Sequence, residues 1–345
     1  MKTQNFAIVL CIAFLMQSCE KKETGITFRL SEEVTCEQID TLSIGFPIVM
    51  VMNNDNLFIV DFHEPMIIHY NLQDKKFDRF LYKGRGPGET MPPITLYANP
   101  CDDNKLYRYS KQEYTMGFYP LDSLSLFVPL FKVKYGYYDV IPFEKDRYLA
   151  AVKDDQRYSI LNSDGEVIDS FGDWPDFFKG ENLIPFDAKS MFHQVRFVNS
   201  YPKKKIVAVS THVLDIIDYS LNVTNASIKR VLLAPYDYDY GSGSSLYAFG
   251  KDGIIIGVSS VTCDDQHIYL LLDSGIIGEE NIGVKKEIWI LDWNGQPEKK
   301  LILDVDIMKI TAYPLSDNQS VFGLAYESNN DDEYYKIVKV NFNMN

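Results

Sequence analysis

A unit of four short strand-like segments recurs about six times between Ile48 and Phe342, and this repeat constrains the fold more than any other feature of the chain. Within each segment apolar or aromatic side chains alternate with polar ones, and turn sequences such as Asn-Asp, Ser-Asp-Gly and Asn-Gly separate the segments. This period of two is typical of antiparallel strands. The repeat therefore predicts an all-β fold, a six-bladed β-propeller with four antiparallel strands per blade.

The last repeat contains only three segments, over 309–313, 320–326 and 334–342. We expect an N-terminal strand, Ile26–Leu30, to supply the fourth and close the ring. Closure of this kind removes exposed sheet edges, which would otherwise pair with other chains. The 21 Phe and 23 Tyr suit the gaps between twisted blades, because each buried ring covers a large apolar area.

The first 18 residues have the pattern of an export signal. Lys2 supplies a positive charge, and the apolar run from Phe6 to Met16 is much shorter than the ~20 residues that span a bilayer. The string Leu15-Met16-Gln17-Ser18-Cys19 resembles the lipobox of bacterial lipoproteins, whose cysteine is lipidated. We therefore expect a lipoprotein signal peptide over 1–18, a lipidated Cys19 with a tether over 19–24, and the propeller over 25–345. The alternative is an ordinary signal peptide that happens to contain Cys19.

The chain is strongly acidic, with a formal net charge of −14 at pH 7. This charge argues against a nucleic-acid partner, since phosphate binding needs a basic surface. It also argues against a polybasic membrane patch, so the lipid would be the only membrane anchor. The cysteines left after the signal, Cys36, Cys101 and Cys263, form no C-x-x-C pair and no disulfide framework. They are best interpreted as small buried residues, with a Cys36–Cys101 bridge as the alternative.

A glycine-rich segment, Gly84-Arg85-Gly86-Pro87-Gly88-Glu89, follows the first predicted blade. Three glycines around a proline predict a sharp turn, mostly at positive φ. Arg85 and Glu89 then either pin blade one to blade two or contact a ligand at the mouth of the central channel. The segment is not a P-loop, because no Gly-Lys-Ser/Thr follows, and it lacks the strand–helix context of a dinucleotide site.

Together with Asn56-Leu57-Phe58-Ile59-Val60-Asp61, this glycine-rich segment resembles the six-bladed β-propeller lipoproteins of Bacteroidota, a TolB-like propeller group. The resemblance implies the six-bladed fold and a location in the cell envelope. With a lipid on Cys19, we expect the protein to be anchored to the outer membrane, on either its periplasmic or its surface side. The resemblance says little about activity, because a fold does not determine a function.

In a propeller, loops from the fourth strand of a blade to the next blade, and from the second strand to the third, share one face. We call it the long-loop face, because the expanded connections 173–189, 235–246, 274–285 and 328–333 all fall on it. Long loops are usually kept for binding. The candidate ligand-binding residues here are Asp61, His63, Arg85, Glu89, Trp174, Phe177, Tyr236 and Tyr238. Exposed aromatics beside carboxylates suit sugars or basic peptides; the alternative is that these loops pack over the rim as small cores.

Two functions remain open from the sequence. The first is a non-catalytic binding or scaffolding lipoprotein of the cell envelope, which engages a glycan, a peptide or an envelope protein through the long-loop face and needs no cofactor. The second is a calcium-dependent propeller enzyme, a lactonase, lyase or glycosidase, with Asp61, Glu64 and Glu89 as candidate acidic ligands. No Gly-x-Ser-x-Gly elbow supports a hydrolase serine, and we assign no catalytic residue. His63, His193 and His212 are too far apart in sequence to indicate a metal site.

Overall fold

The computed structural model describes residues 25–344 except for a set of short gaps. The gaps are 87, 100–101, 135, 178–183, 221–225, 235, 241–245, 251–253, 277–285, 314–319 and 330–331. The predicted signal segment, with Cys19, lies outside the described residues, and so does Cys101.

The first half of the described chain contains two N-terminal strands and three blades. The N-terminal strands are β1 (Ser31–Val34) and β2 (Cys36–Leu42). Blade one consists of β3 (Pro47–Asn53), β4 (Asn56–Asp61), β5 (Ile67–Asn71) and β6 (Phe77–Phe80). A short parallel pair follows, β7 (Tyr82–Lys83) and β8 (Glu89–Thr90). Blade two consists of β9 (Ile94–Asn99), β10 (Asp102–Ser110), β11 (Thr115–Pro120) and β12 (Val128–Lys132). Blade three consists of β13 (Tyr137–Glu144), β14 (Arg147–Val152), β15 (Tyr158–Leu161) and β16 (Val167–Phe171).

The second half contains a short helix, three more blades and a hairpin. The helix α1 (Phe186–Phe192) precedes blade four, which consists of β17 (Arg196–Ser200), β18 (Lys205–Val209), β19 (Val213–Asp218) and β20 (Ser227–Leu232). The hairpin is formed by β21 (Tyr236–Tyr240) and β22 (Leu246–Gly250). Blade five consists of β23 (Ile254–Cys263), β24 (His267–Ile276), β25 (Lys286–Asp292) and β26 (Pro297–Leu303). Blade six consists of β27 (Ile307–Ala312), β28 (Val321–Asn329) and β29 (Asp332–Val340), together with β2. No helix among the described residues is long and apolar enough to cross a membrane.

The first strands of the six blades form a closed ring around a central axis. β3 contacts β9, β9 contacts β13, and the series continues through β17, β23 and β27 back to β3. The four strands of each blade are antiparallel, with the first innermost and the fourth outermost except in blade five, where a further strand lies outside the fourth. The predicted six-bladed β-propeller is therefore confirmed.

The ring is closed by an N-terminal strand, as expected, but the predicted residues are wrong. β2, not Ile26–Leu30, pairs antiparallel with β29 and completes blade six. β1 adds to blade five as a fifth strand, parallel to β26. The sequence of β2, CEQIDTL, is mostly polar, so it does not show the apolar alternation that indicates a strand. A polar sequence is tolerated there because β2 is the outermost strand of its blade and is exposed to water. Ile26 and Phe28 instead pack as apolar side chains against the core between blades four and five.

The core lies between neighbouring blades. In β4, Leu57, Phe58, Ile59 and Val60 are all buried, although the alternation predicted burial only at every second position. Both faces of an inner strand are covered because each blade packs between two others. The outer strands, such as β16, keep one exposed face.

Candidate ligand-binding site

A cavity of about 230 Å³ lies on the axis of the ring, and residues of all six innermost strands line it. Most of the lining is aliphatic, and the described charged residues in it are Lys111, Asp139, Arg196 and Lys309. Its neutral polar side chains are Thr95, Tyr97, Asn199, Ser260, Thr262 and Thr311. An apolar wall with a few polar groups is the usual composition of a small-molecule site.

The three cations lie at the end of the cavity toward the long-loop face. Each innermost strand begins at that face, and Arg196 and Lys309 are the first and third residues of β17 and β27. Lys111 follows β10 directly, in a loop from a second to a third strand, and its N–H donates to the carbonyl of Pro93 (3.1 Å). The charged end of the cavity therefore lies toward the long-loop face.

Hydroxyl groups join neighbouring innermost strands around part of the ring. Thr311 Oγ1 accepts from the N–H of Met52 (3.0 Å), and Thr262 Oγ1 accepts from the N–H of Ala312 (2.9 Å). Ser260 Oγ accepts from the N–H of Ile310 (3.2 Å). These bonds satisfy backbone donors that have no strand partner at the axis, so the hydroxyls hold the wall in place.

Asp139 is the one carboxyl among the described residues of the lining, and it is fully buried. Its Oδ1 accepts from the N–H of Val140 (3.1 Å), and the Tyr97 and Thr95 hydroxyls lie close enough to the carboxylate to stabilise its charged form. Burial raises the pKa of Asp139, and the nearby Lys111 ammonium and Tyr97 hydroxyl oppose that rise only in part. Asp139 and Tyr97 therefore form a buried polar pair in the otherwise largely apolar wall of the cavity.

Arg196 and Lys309 converge on one backbone oxygen, the carbonyl of Ser259. Arg196 Nη1 donates to it, and Lys309 Nζ donates to it at 3.4 Å. The pairing of β23 with β24 shifts register between Val258 and Ser260, so Ser259 is the irregular residue of the innermost strand of blade five. Bulges of this kind redirect backbone groups and are common beside functional sites. Here the bulge brings together two cations from blades four and six.

Asp61 and His63 come together at the end of β4, at the long-loop face. Asp61 is fully buried and accepts from the N–H groups of Gly45 (2.8 Å), Phe46 (2.8 Å) and His63 (3.1 Å). Burial alone would raise the pKa of Asp61, but these three hydrogen bonds and the His63 ring hold it below its usual range. The carboxylate therefore organises the backbone around it, while His63 stays exposed, with Nδ1 3.5 Å from Asp61 Oδ1.

The glycine-rich loop is closed by its own glutamate. Glu89 Oε2 accepts from the N–H of Gly86 (2.7 Å), and a Cβ at Gly84 would lie only 1.9 Å from the same oxygen. Of the three glycines, only Gly88 has a positive φ (80°), so the prediction of a mostly positive-φ turn is wrong for Gly84 and Gly86. The space needed by the Glu89 carboxylate explains those two glycines. Arg85 is exposed at the tip.

Trp174 and Phe177 pack onto the rim between blades three and four. Trp174 Nε1 donates to the carbonyl of Asp154 (2.8 Å), and its ring meets that of Phe186 edge-on at 5.5 Å. Phe177 packs against Val213 and Leu232. These contacts agree with the alternative in which this loop forms a small core of its own.

The other three expanded connections of the long-loop face, 235–246, 274–285 and 328–333, contain strand residues. Tyr236 and Tyr238 lie in β21, and their side chains are outside the described part of the structure, so their role in binding stays a prediction. The connection at 328–333 is an extension of the β28–β29 pairing as far as Asn329 and Asp332. Part of 274–285 likewise continues the β23–β24 pair up to Ile276. This face is therefore built partly from extended hairpins.

Sequence reasoning missed the cavity residues Lys111, Asp139, Arg196 and Lys309. They belong to four different blades, and no local motif identifies them. The sequence indicated them only by their position, in or beside the first two strands of a repeat. Among the described residues, no three His, Cys, Asp or Glu side chains come together as a metal-binding group. His193 and His212 are buried beside α1, away from exposed His63.

Comparison with solved structures finds the same fold in exported and binding proteins of Bacteroides. A protein of Bacteroides fragilis described as exported is 11% identical, with 92% of this chain and 100% of that chain covered and a TM-score of 0.56. A member of the DUF4221 family from Bacteroides vulgatus is 8% identical, with 90% and 98% covered and a TM-score of 0.52. An auxiliary nutrient binding protein from Bacteroides thetaiotaomicron is 10% identical, with 86% and 69% covered and a TM-score of 0.52.

No curated protein matches the chain significantly. A family model described as TolB-like 6-blade propeller-like matches residues 27–313, which is most of the chain. On this match, and on the ring of six blades, the chain belongs to the TolB-like six-bladed β-propeller family.

Proposed function

We propose that this protein is a binding module of the cell envelope that engages a glycan, a peptide or a protein partner at its long-loop face, with the axial cavity as the place where the ligand is held. The single observation that carries the proposal is the cavity itself, which is walled by the innermost strands of all six blades and lined by a few buried polar side chains, Asp139 and Tyr97 among them.

The cavity favours a small ligand or one residue of a larger one. A volume of about 230 Å³ lies below the roughly 300–1,000 Å³ of typical small-molecule pockets. A protein or glycan partner would therefore insert one unit into the cavity and lie along the rim beside His63, Arg85 and Trp174. The similar fold of an auxiliary nutrient binding protein is compatible with this function.

The location in the envelope rests on the N-terminal sequence. Cys19 at the end of the apolar run would carry the lipid and hold the propeller at the outer membrane, with residues 20–24 as the tether. Replacing Cys19 with Ala should abolish incorporation of labelled palmitate and release the protein from membranes. Unchanged membrane retention of C19A would contradict the lipid anchor.

The binding function is tested by filling the cavity. Thr95 lines the cavity, and Thr41 is exposed on the outermost strand of blade six, so T95W and T41W form a matched pair. A panel of mono- and disaccharides and short peptides would be screened by thermal unfolding, since a ligand at 100 times its Kd stabilises by about 2.7 kcal/mol. We expect the wild type and T41W to be stabilised by the same compound and T95W to lose the response. An equal response in T95W would contradict binding in the cavity.

A further inference from the structure

Valine side chains from opposite sides of the ring make much of the cavity wall apolar. Val49 and Val51 come from β3 of blade one, Val198 comes from β17 of the opposite blade four, and Val261 comes from β23 of blade five. All four are partly exposed, although they lie on innermost strands. Because these strands meet at the centre of the ring, the exposed part of each valine borders the cavity.

The neutral polar side chains of the lining are largely occupied by bonds within the protein. The hydroxyl oxygens of Ser260, Thr262 and Thr311 accept from backbone N–H groups of neighbouring innermost strands. Asn199 Nδ2 donates to the carbonyl of Pro142 (2.9 Å). These side chains hold the ring together, so they have little bonding capacity left for the hydroxyls of a ligand.

The charged side chains of the lining also interact within the protein. The Tyr97 hydroxyl and the Lys111 ammonium both stabilise the charged form of Asp139. Arg196 and Lys309 donate to one backbone carbonyl at the end of the cavity toward the long-loop face. The surface that the cavity offers to a ligand away from that end is therefore mainly apolar.

A wall of this kind suits an apolar group better than a sugar. A sugar has a hydroxyl on almost every carbon, and burial of a hydroxyl without a hydrogen-bond partner costs free energy. An apolar group instead leaves water itself and displaces poorly ordered water from the cavity, and both changes favour binding. An apolar cavity of about 150 Å³ holds benzene, so a volume of about 230 Å³ admits a ring as large as indole.

Building on the proposed function, we infer that the axial cavity binds an uncharged apolar group, between a leucine side chain and an indole ring in size. The valines of blades one, four and five contact this group, and the polar remainder of the ligand lies at the charged end of the cavity. The group is either a side chain of a polypeptide partner or a free apolar compound, because both present the same chemistry to the wall. A sugar ring is excluded from the buried position.

The test is calorimetric titration of the purified full chain with uncharged probes. The apolar probes are N-acetyl-leucinamide, N-acetyl-tryptophanamide and free indole; N-acetyl-glutaminamide, glucose and galactose are the polar ones. We expect at least one apolar probe to bind about tenfold or more tightly than N-acetyl-glutaminamide, because burial of an apolar side chain contributes at least that factor. Titration at two temperatures should give a negative heat-capacity change, which indicates apolar burial. Tighter binding of the capped amino acids than of indole indicates a polypeptide side chain, and the reverse order indicates a free compound.

Two variants of nearly unchanged shape assign the effect to the cavity. V51T and V198T each replace one methyl group of the wall with a hydroxyl, and each should weaken the apolar probe about fivefold or more. V167T is the matched control, because Val167 is exposed on the outermost strand of blade three, and its affinity should equal that of the wild type. Thermal unfolding of all three shows whether they are folded. V51T and V198T alter opposite blades, so either one tests the inference if the other is unstable.

The outcomes separate this inference from the function on which it rests. If a sugar or N-acetyl-glutaminamide binds as tightly as the apolar probes and T95W abolishes its binding, the inference is wrong and binding in the cavity stands. If the apolar probes bind but V51T and V198T match V167T, these probes bind elsewhere and the inference is wrong. If no apolar probe binds, the inference is wrong, and the cavity-filling pair T95W and T41W decides the binding function separately.

Discussion

Arg157 Nη1 donates to Asp215 Oδ2 at 2.6 Å, and both side chains are fully buried where blade three meets blade four. The same carboxylate accepts from the Tyr158 hydroxyl (2.7 Å) and from Arg230 Nε (2.7 Å). Burial alone would raise the pKa of Asp215, but Arg157 and Arg230 hold it below its usual range. The Arg157 guanidinium also lies 5.8 Å from the centre of the Trp174 ring, so the network supports a loop of the long-loop face.

Removal of this carboxylate should be strongly destabilising. D215A leaves Arg157 buried without its counter-charge, and breaking a buried pair in this way costs about 3–5 kcal/mol. D218A is the control on the same strand. Asp218 also faces a cation, with its Oδ2 3.7 Å from Lys205 Nζ, but its side chain is partly exposed to water. We expect it to cost about 1 kcal/mol or less. Urea unfolding measures both, and equal losses would contradict the role of the network.

The Asp139 carboxyl should make the stability of the fold decrease as the pH rises. Because the folded state raises the pKa of Asp139, it binds this proton more tightly than the unfolded chain does. The contribution of Asp139 to the free energy of unfolding is therefore complete below the unfolded pKa of ~3.9 and is lost as the pH rises through the folded value. D139N should remove this dependence, so its stability relative to the wild type should increase from acid toward neutral pH. A constant difference across urea titrations at several pH values would contradict the raised pKa.

The contribution of Asp215 to the free energy of unfolding depends on pH in the opposite direction. With a folded pKa below the unfolded one, its stabilising contribution is present above ~3.9 and is lost as the pH falls through the lower folded value. We expect the difference in unfolding free energy between wild type and D215N to be constant from pH 7 to pH 5 and to shrink below pH ~4. A difference that shrinks between pH 7 and pH 5 would be inconsistent with this assignment.

The positive φ of Gly88 gives a prediction for the glycine-rich loop. At φ 80° a Cβ is strained, and G88A should cost about 1–2 kcal/mol. G88N should cost less, because asparagine tolerates this region better than alanine does. Thermal unfolding of the two variants compares them directly. An alanine variant as stable as the wild type would show that the loop adopts another conformation.

The closing strand can be separated from the segment that was predicted for its place. Deleting residues 25–30 while keeping the rest removes the packing of Ile26 and Phe28 but leaves β2 paired with β29. Deleting residues 36–43 instead removes β2 and exposes the edge of β29, which invites pairing between chains. We expect the first variant to elute from size-exclusion chromatography as the unaltered protein does and the second to aggregate. Aggregation of both to the same extent would contradict β2 as the essential closure.

The sequence by itself determined the blades, because a strand pattern and its turns are local. Segments such as Leu57–Val60 and Ile288–Leu291 contain apolar residues dense enough to require burial, and polar turns separate them at regular intervals. Local patterns also located the long-loop face, since it follows from the order of strands. They did not identify the closing strand, whose residues are mostly polar at the edge of a blade.

Only the tertiary structure decided the chemistry of the cavity. Lys111, Asp139, Arg196 and Lys309 are spread over almost 200 residues and become neighbours only when six innermost strands meet around one axis. A bulge at Ser259 then brings two of the cations to one oxygen, which no alternation of apolar and polar residues indicates. The tendency of a segment to form a strand depends only on its own residues. Electrostatic and hydrogen-bonding interactions in the cavity depend instead on distances between blades, and those distances are fixed only when the ring closes.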